Sequence, residues 1–415
     1  MQHTIPTDSA PTLKRSLGFW QATLYGLGVT IGAGIYVLIA PAVGVAGIYA
    51  PLAFIVAAVI MALTGASFAE LASRMPVASG EAAYVRAGFR SETLATVIGL
   101  MVIAIAIVSA AAISVGSAGY IAVFVPLPQP VLVAIVVAAM AIVAMWGIVE
   151  SVTLAATMTA IEIGGLVIII AFGFVTEPAT IARLGEMIPP ASGLIVAVPG
   201  ILAATVLAVF AFIGFEALAN VAEEVEAPTR NLPRAIMATL VVTTLLYVLV
   251  VWVSLIAVPQ AELAAAKAPL ALVFQRLTGG SPLMMSAIAV VATLNGIIVQ
   301  LIMASRVAYG LARQGRLPRG LGSVHARTRT PVNATIAAAL VTLILALTAP
   351  LAQLAEVTSL ITLAMFAIVN VALGLIKARE RTPPEGIFRV WTIVPWAGAA
   401  SSAAFLVAAL ARHVT

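Results

Sequence analysis

The chain contains no cysteine and very little charge. Only 9% of its 415 residues are Asp, Glu, Lys or Arg, whereas soluble proteins average about 25%. Without cysteine, disulfides, thiolate metal sites and cysteine nucleophiles are excluded. The single aspartate is Asp8, and the histidines are His3, His325 and His413, all outside the apolar segments. An integral membrane transferase needs clustered Asp, His or Cys, so we expect no enzyme, no cofactor and no bound metal.

Long apolar runs fill the rest of the chain. Hydrophobic residues make up 62% of it, and the mean hydropathy is +1.15. A membrane span needs about 20 mostly apolar residues. The sequence therefore predicts an all-α polytopic membrane protein with eleven transmembrane helices. They lie near residues 18–46, 50–73, 94–124, 130–148, 151–175, 197–221, 234–258, 282–311, 333–349, 354–376 and 390–411.

The basic residues indicate the orientation of these spans. With the N-terminus inside, seventeen of the 21 Lys and Arg residues fall in inner loops and four fall outside. This predicts a cytoplasmic N-terminal tail over 1–17 and a C-terminus outside a prokaryotic plasma membrane. The bias also explains the net charge of +5 without a nucleic-acid partner. No cleavage site follows a short apolar stretch, so the first span is expected to stay uncleaved.

Two spans carry glycine interruptions. The first is "GVTIGAGIY" at 28–36, although glycine in a helix costs roughly 0.8–1.0 kcal/mol relative to alanine. The second is "VFAFIGFEALANVAEE" at 209–224. Each interrupted span opens a group of five, and odd-sized groups are inverted relative to each other in the membrane. Glycine-interrupted segments at matching positions point to a transporter binding site.

This pattern predicts a five-plus-five inverted repeat. Repeat 1 covers about 18–175 and repeat 2 about 197–376, which gives a transporter core over 18–376. Residues 377–415 add a cytoplasmic loop and an eleventh helix. The alternative is that the glycines only allow close packing of helices, since Gly28 and Gly32 form a GxxxG pair.

Interrupted helices have a chemical use. Lipid cannot satisfy freed backbone N–H and C=O groups, so such backbone survives only under protein or beside a wet cavity. The N–H groups that open a half-helix near Gly32 and Gly34 can hold an anion, and freed carbonyls can hold an ammonium. An α-amino acid carries both charges. No GxxxxGK phosphate loop is present, so this chain alone is not expected to drive transport with ATP.

Four stretches resemble permeases of the amino acid–polyamine–organocation (APC) superfamily. They are "GVTIGAGIYV" (28–37), "FAELASRMPVASGEAAYV" (68–85), "FAFIGFEALANVAEEVEAPTRNLPRAI" (210–236) and "SRVAYGLARQGRLP" (305–318). The resemblance covers spans 1 to 10. It implies the leucine-transporter type of fold, with helices 1 and 6 unwound mid-membrane and alternating access around a site between them. The eleven predicted spans are one fewer than the family's common twelve, so the resemblance does not imply the family's dimer contacts through its last helix.

The resemblance also implies the substrate-binding residues. They are Ile31, Gly32, Ala33, Gly34 and Ile35 in the first break and Phe210, Ala211, Phe212, Ile213 and Gly214 in the second. Phe210, Phe212 and Phe215 are candidates for an aromatic gate over the substrate. Ordinary core packing is the alternative for each of these rings.

Two carboxylates lie deep in the membrane, where a charge costs about 2.5–3.5 kcal/mol on insertion scales. By the resemblance, Glu162 falls where proton-coupled relatives have a lysine on helix 5. We hypothesise that Glu162 couples proton movement to substrate movement; a neutral structural carboxyl is the alternative. Glu216 either accepts from N–H groups freed by the break or contacts the substrate. Glu70, nearer the inner end of its span, is expected to be solvated or to pair with a loop.

Other polar residues in the spans are weaker candidates. Asn295 is a possible secondary site residue, although an interhelical hydrogen bond is the favoured interpretation. Thr358, Ser359 and Thr362 are candidate cavity-lining hydroxyls. Span 3 has no charged side chain, which favours neutral amino acids, while cationic amino acids and polyamines stay open.

The sequence thus predicts a secondary active transporter of amino acids, with proton-coupled uptake. The alternative is an exchanger of amino acids or polyamines without proton coupling, and sodium also stays open as a coupling ion. A channel is disfavoured because nothing suggests a ring of charges. The expected partners are a small amino acid and the lipid bilayer, with no nucleic acid, in a monomer or homodimer.

Overall fold

A computed structural model describes residues 17–76, 80–146, 152–380, 382 and 384–412. Of the predicted N-terminal tail, only Leu17 is among them. These residues form α1 Phe19–Ile31, α2 Gly34–Ala46, α3 Ala50–Arg74, α4 Gly80–Phe89, α5 Glu92–Ile121, α6 Gln129–Trp146, α7 Val152–Thr176, α8 Ala179–Ala182, α9 Leu194–Phe212, α10 Ala217–Asn220, α11 Pro228–Ala257, α12 Gln260–Ala265, α13 Pro269–Thr278, α14 Leu283–Arg313, α15 Val332–Thr348, α16 Leu351–Arg379 and α17 Ile393–Ala411. Short 3₁₀ helices cover Gly47–Tyr49, Leu184–Met187, Ala191–Gly193, Ala222–Glu224 and Arg319–Gly322.

Among the described residues, nine helical stretches are long and apolar enough to cross a membrane. The turn Gly47–Tyr49 joins α2 and α3 into one such stretch, Gly34–Arg74. α1 has 13 residues because it ends at the glycines, and α15 has 17, so both are shorter than a full span. The predicted all-helical, multi-span class is confirmed, while the count of eleven stays a prediction.

Helix boundaries follow local chemistry. Ser91 caps α5, where its hydroxyl accepts a hydrogen bond from the Leu94 N–H at 3.2 Å. Pro228 opens α11, where a missing N–H removes nothing from the first turn. Lys377 and Arg379 lie in the last turn of α16, where positive charge is favoured by the helix dipole. The long helices begin and end at such signals. Apolar residues cover their whole circumference and do not mark these ends.

The long helices pack in defined pairs. α2 packs against α9, α3 against α11, α5 against α14, and α6 against α15. α1 lies against both α11 and α7, and α17 packs on α16 and α3. This arrangement brings α1, α2 and α9, which flank the two glycine interruptions, into the middle of the molecule.

The ends of several helices meet in a buried ion cluster, formed by Glu70, Arg74, Lys377 and Glu380. The Glu70 carboxylate is fully buried and accepts hydrogen bonds from Lys377 Nζ at 2.8 Å and Arg74 Nε at 2.9 Å. It also accepts from the Val390 N–H at 2.8 Å, and Arg74 pairs with Glu380 as well. Glu70 therefore pairs with the segment before α17, as expected, but it is not solvated.

Two further ties hold the same end of the molecule. Ser73 donates a hydrogen bond to the Thr229 carbonyl at 3.0 Å and accepts one from the Phe388 N–H at 2.9 Å. Leu17 and Val225 form an isolated β-bridge, with the Leu17 N–H bound to the Glu224 carbonyl at 3.0 Å. The start of α1, the segment after α10 and the chain before α17 thus share one layer.

α4 has 10 residues and is too short to span a membrane. It follows α3 and precedes α5 in the chain, and it packs against α5, α16 and α10. It buries Glu81, which is 6% exposed. In the part of the chain that the structure describes, no basic side chain forms an ion pair with Glu81. Burial raises the pKa of Glu81 to about 7, because it disfavours the charged carboxylate.

We expect Glu81→Gln to stabilise the protein at pH 8 and to change little at pH 5. The folded-state pKa lies above the usual value, so the folded chain holds a proton that the unfolded chain releases, and stability falls as pH rises from about 4.5 through about 7. Above a pH of about 7, the ionised Glu81 carboxylate lowers the free energy of unfolding by on the order of 3 kcal/mol. Thermal unfolding in detergent at both pH values measures it.

Glu92→Gln is the matched control, because Glu92 is exposed and begins the next helix. An equal gain for Glu81→Gln at pH 5 and pH 8 would contradict the titration argument.

Candidate functional site

The first interrupted helix breaks at its glycines. α1 ends at Ile31 and α2 begins at Gly34, so Gly32 and Ala33 separate two helices of 13 residues each. Gly32 has φ 2° and ψ −115°, outside the helical region. The predicted interruption is therefore a break in the backbone and not only a packing contact. Gly28 does pack closely, since a Cβ there would overlap Thr159 Oγ1.

The second interrupted helix breaks in the same way. α9 ends at Phe212, and residues 213–216 lead to the single turn of α10. Gly214 has φ +133°, a conformation that side chains rarely adopt. The Glu216 carboxylate accepts a hydrogen bond from the freed Gly214 N–H at 2.9 Å. This hydrogen bond is the contact that one of the two predicted roles of Glu216, accepting from N–H groups freed by the break, requires.

The two breaks touch each other through their backbones. A Cβ on Gly34 would lie 2.7 Å from Ala211 Cα. A Cβ on Gly214 would lie 2.8 Å from the Thr30 nitrogen and from the Val29 carbonyl. Both approaches are closer than any side chain allows, so each break requires glycine where it meets the other.

A tyrosine of α11 bridges the two breaks. The buried Tyr247 hydroxyl lies 2.9 Å from the Thr30 carbonyl and 2.8 Å from the Ala211 carbonyl. α1 and α9 each end one residue after these carbonyls, which therefore lack the usual intrahelical donor. The single proton of this hydroxyl is donated to one of the two freed carbonyls or shared between them. Sequence analysis missed Tyr247, a single tyrosine within the apolar run "TLLYVLVVW" at 244–252.

Glu162 lies beside this arrangement, fully buried in α7. Its backbone carbonyl accepts a hydrogen bond from the Tyr36 hydroxyl of α2 at 2.7 Å. Tyr120 of α5 in turn donates to the Tyr36 carbonyl at 2.7 Å. The predicted coupling residue is therefore tied to the helix that follows the first break.

A cavity lies where the breaks meet α5 and α14. Its enclosed part has room for only about 20 Å³ of water-sized centres, and the empty space is about 400 Å³ when the opening to solvent is counted. Among the predicted residues, Ala33, Gly34, Phe210, Ile213 and Asn295 line it. Its described walls contain no charged side chain. This fits a site that binds charged ligand groups with backbone dipoles.

The other predicted residues lie behind these walls. Ile31, Ile35 and Phe212 are fully buried in packed positions, and Gly32, Ala211 and Gly214 shape the backbone without lining the cavity. Glu162, Glu216 and Thr358 also lie outside the lining. Five of these fourteen predicted residues therefore line the cavity directly, and nine do not.

Of the three candidate gate rings, only Phe210 lines the cavity. Phe212 packs edge-on against Tyr247, with ring centroids 5.3 Å apart. Phe215 packs between Phe68 and Phe366 at 5.7 and 5.5 Å. Core packing thus describes Phe212 and Phe215 in this conformation.

Two polar candidates lie in different surroundings. Asn295 lines the cavity, and its Oδ1 has no hydrogen-bond partner within the described part of the chain, so the interhelical bond favoured for it is not formed through that atom. Thr358 donates to the Leu354 carbonyl of its own helix at 2.8 Å and does not line the cavity. Thr362 likewise bonds within its helix.

Sequence analysis missed several cavity walls, of which Thr30, Ser109 and Gln300 are polar. Ser109 and Gln300 are isolated polar residues within apolar spans, which was the available signal. Nothing in the sequence indicated which face of α5 or α14 they would share. No group of three His, Asp or Glu that could hold a metal ion occurs among the described residues.

The chain matches known proteins over nearly its whole length. A family model described as amino acid permease matches residues 17–413. The branched-chain amino acid permease BcaP of Bacillus subtilis is 30% identical over 403 residues, covering 91% of this chain and 84% of the relative. An uncharacterized transporter of Mycobacterium tuberculosis is 34% identical over 385 residues, with the same coverage of 91% and 84%. The vacuolar cationic amino acid transporter 4 of Arabidopsis thaliana is 29% identical over 419 residues, covering 93% and 66%.

These relatives are named permeases and transporters, and none of these names describes an enzyme. The matched region contains both broken helices and the cavity between them. This protein therefore belongs to the amino acid permease family of the APC superfamily, whose members carry amino acids across membranes.

Proposed function

We propose that this chain takes up amino acids across a prokaryotic plasma membrane by alternating access, as a secondary active transporter coupled to protons. The observation that carries the proposal is the contact of two broken helices at a cavity without charged walls. Backbone N–H groups near Gly32 and Gly34 would bind the substrate carboxylate, and carbonyls freed in both breaks would bind its ammonium. The ten predicted residues of the two breaks form this backbone site, some as walls and others as supports.

The proposed architecture is a five-plus-five inverted repeat in eleven spans, with the core over 18–376. The contacts of α2 with α9, α3 with α11, α5 with α14 and α6 with α15 support it. In the proposed numbering these are spans 1 and 6, 2 and 7, 3 and 8, and 4 and 9. An inverted repeat would pair the same spans across its axis.

The proposed orientation has the N-terminus in the cytoplasm and the C-terminus outside. The meeting of Leu17, Arg74, Thr229 and Lys377 in one layer supports it, because the positive-inside rule assigns that layer to the cytoplasm.

Glu162 is the proposed proton carrier. It is buried, and its carbonyl is bonded to Tyr36 on the helix after the first break. A carboxyl at this depth changes charge by taking up and releasing a proton, which would link proton movement to the conformation of the break. Glu216 is proposed to hold the second break and not to bind the substrate.

We expect Glu162→Gln to abolish accumulation of substrate driven by a pH gradient while exchange across the membrane continues. The amide fills the same space but cannot take up and release a proton. Uptake of labelled amino acid into liposomes containing the purified protein, with and without an inward pH gradient, measures both activities.

Glu177→Gln, just after the same helix, should accumulate substrate as the wild type does. Undiminished gradient-driven uptake by Glu162→Gln would remove Glu162 from the coupling mechanism. If the wild type ignores the pH gradient and needs amino acid inside, the protein is an exchanger; if it needs sodium, the coupling ion is sodium.

A further inference from the structure

One wall of the cavity carries polar side chains that the transport cycle proposed above does not use. Asn295 and Gln300 belong to α14 and Ser109 belongs to α5, and all three line the cavity. They are 8%, 8% and 2% exposed, respectively. Gly296 of α14 faces the first break, since a Cβ there would lie 3.0 Å from Ala33 Cβ. The polar wall therefore adjoins the backbone that is proposed to bind the carboxylate and the ammonium of the substrate.

The oxygen atoms of the two amides lack protein partners within the described residues. Asn295 Oδ1 and Gln300 Oε1 are buried, and neither has a hydrogen-bond partner within the described residues. Buried polar groups are normally hydrogen-bonded, because a buried group loses its hydrogen bonds to water and this costs free energy unless another partner replaces them. The apolar walls, including Ile113, Phe210 and Ile213, cannot supply a partner. Water or a ligand in the cavity can supply the missing hydrogen bonds.

We propose that Ser109, Asn295 and Gln300 hold the side chain of the substrate, and that the protein selects neutral amino acids bearing an amide or a hydroxyl. This inference rests on the proposed function and narrows its substrate class. An amide can donate to and accept from either side-chain amide, whichever way that amide is turned. A lysine or arginine side chain would meet no carboxylate in these walls. A branched-chain side chain would leave both amides unpaired.

The first test is counterflow with a panel of substrates. Liposomes containing wild-type protein and an unlabelled amino acid inside receive the same amino acid in labelled form, with glutamine, asparagine, serine, threonine, leucine, valine, lysine and arginine tested in turn. We expect glutamine or asparagine to be carried with a kcat/KM about 10- to 100-fold above that of leucine or lysine. A preference for branched-chain or basic amino acids overturns this inference and leaves the proposed function intact, whereas no counterflow with any amino acid overturns the proposed function.

The second test removes the amides. Gln300→Met and Asn295→Leu keep approximate volume and lose hydrogen bonding, so each should reduce the preference for glutamine over leucine about 10-fold or more. Gln129→Met is the matched control, because Gln129 is exposed at the start of α6. Comparing these two single variants separates the two contributions. Equal loss for every amino acid in both variants would show a structural role only and would refute the proposal.

Discussion

Gly214→Ala abolishes uptake in the expected outcome, with less than about 1% of wild-type transport remaining. Gly214 has φ +133°, a conformation that costs an L side chain on the order of 1–3 kcal/mol. Its new Cβ would also lie 2.8 Å from the Thr30 nitrogen and from the Val29 carbonyl carbon and oxygen. These are backbone atoms of the opposite break, so no side-chain rotation can relieve the clash. Uptake into liposomes at matched protein density measures the loss.

Two further variants separate the causes. Gly34→Ala has no unusual φ but places a Cβ 2.7 Å from Ala211 Cα, so its loss of transport would reflect the contact between breaks alone. Gly164→Ala is the matched control within the membrane, because nothing lies within 4 Å of its new Cβ. We expect Gly164→Ala to transport as the wild type does. If Gly214→Ala transported with the KM and the rate of the wild type, the observed contact between the two breaks would not be needed for transport.

Glu70→Gln should lower the free energy of unfolding by about 3–5 kcal/mol. The buried Glu70 carboxylate accepts from Lys377, Arg74 and the Val390 N–H. An amide of the same shape leaves the Lys377 ammonium, whose side chain is 3% exposed, without its carboxylate. Unfolding in mixed detergent micelles, followed by circular dichroism, measures the change.

The control is Glu186→Gln, which breaks the exposed pair between Arg183 and Glu186 and should leave the unfolding midpoint unchanged. The double variant Glu70→Gln with Lys377→Met should lose less than the two single variants together, because it leaves no uncompensated lysine. Strict additivity would mean that the two residues do not interact in the folded protein.

Local sequence patterns were enough to predict the breaks. Glycine is costly in a helix interior, so its recurrence at Gly32, Gly34 and Gly214 has a local cause that a sequence displays. Apolar run length likewise predicted the positions of the long helices. The number of membrane spans is harder, because α2 and α3 join through a 3₁₀ turn and α1 is only half a span.

Contacts between distant residues could not be predicted in this way. Glu70 and Lys377 are 307 residues apart, and Tyr247 lies 217 residues from Thr30. No local pattern links such partners. The basic residues were interpreted as topology signals, which gave no reason to expect Lys377 in a buried ion pair.

The walls of the cavity were only partly predictable for a related reason. α5 is apolar around its whole circumference, so the sequence does not show that Ser109 faces the cavity. Asn295 was assigned an interhelical partner because that is the usual use of a buried amide. Only the positions of Gly296 and Ala33 show that this face of α14 meets the break.

The β-bridge at Leu17 bears on protein engineering. The Leu17 N–H bonds to the Glu224 carbonyl, and its carbonyl accepts from the Glu226 N–H at 2.9 Å. A fluorescent reporter fused directly before Leu17 would therefore pull on the start of α1 and on the segment after α10 at once. A reporter meant to sense the transport cycle belongs there. One meant to leave it undisturbed belongs on the exposed turn at Gly315 and Arg316, beyond the end of α14.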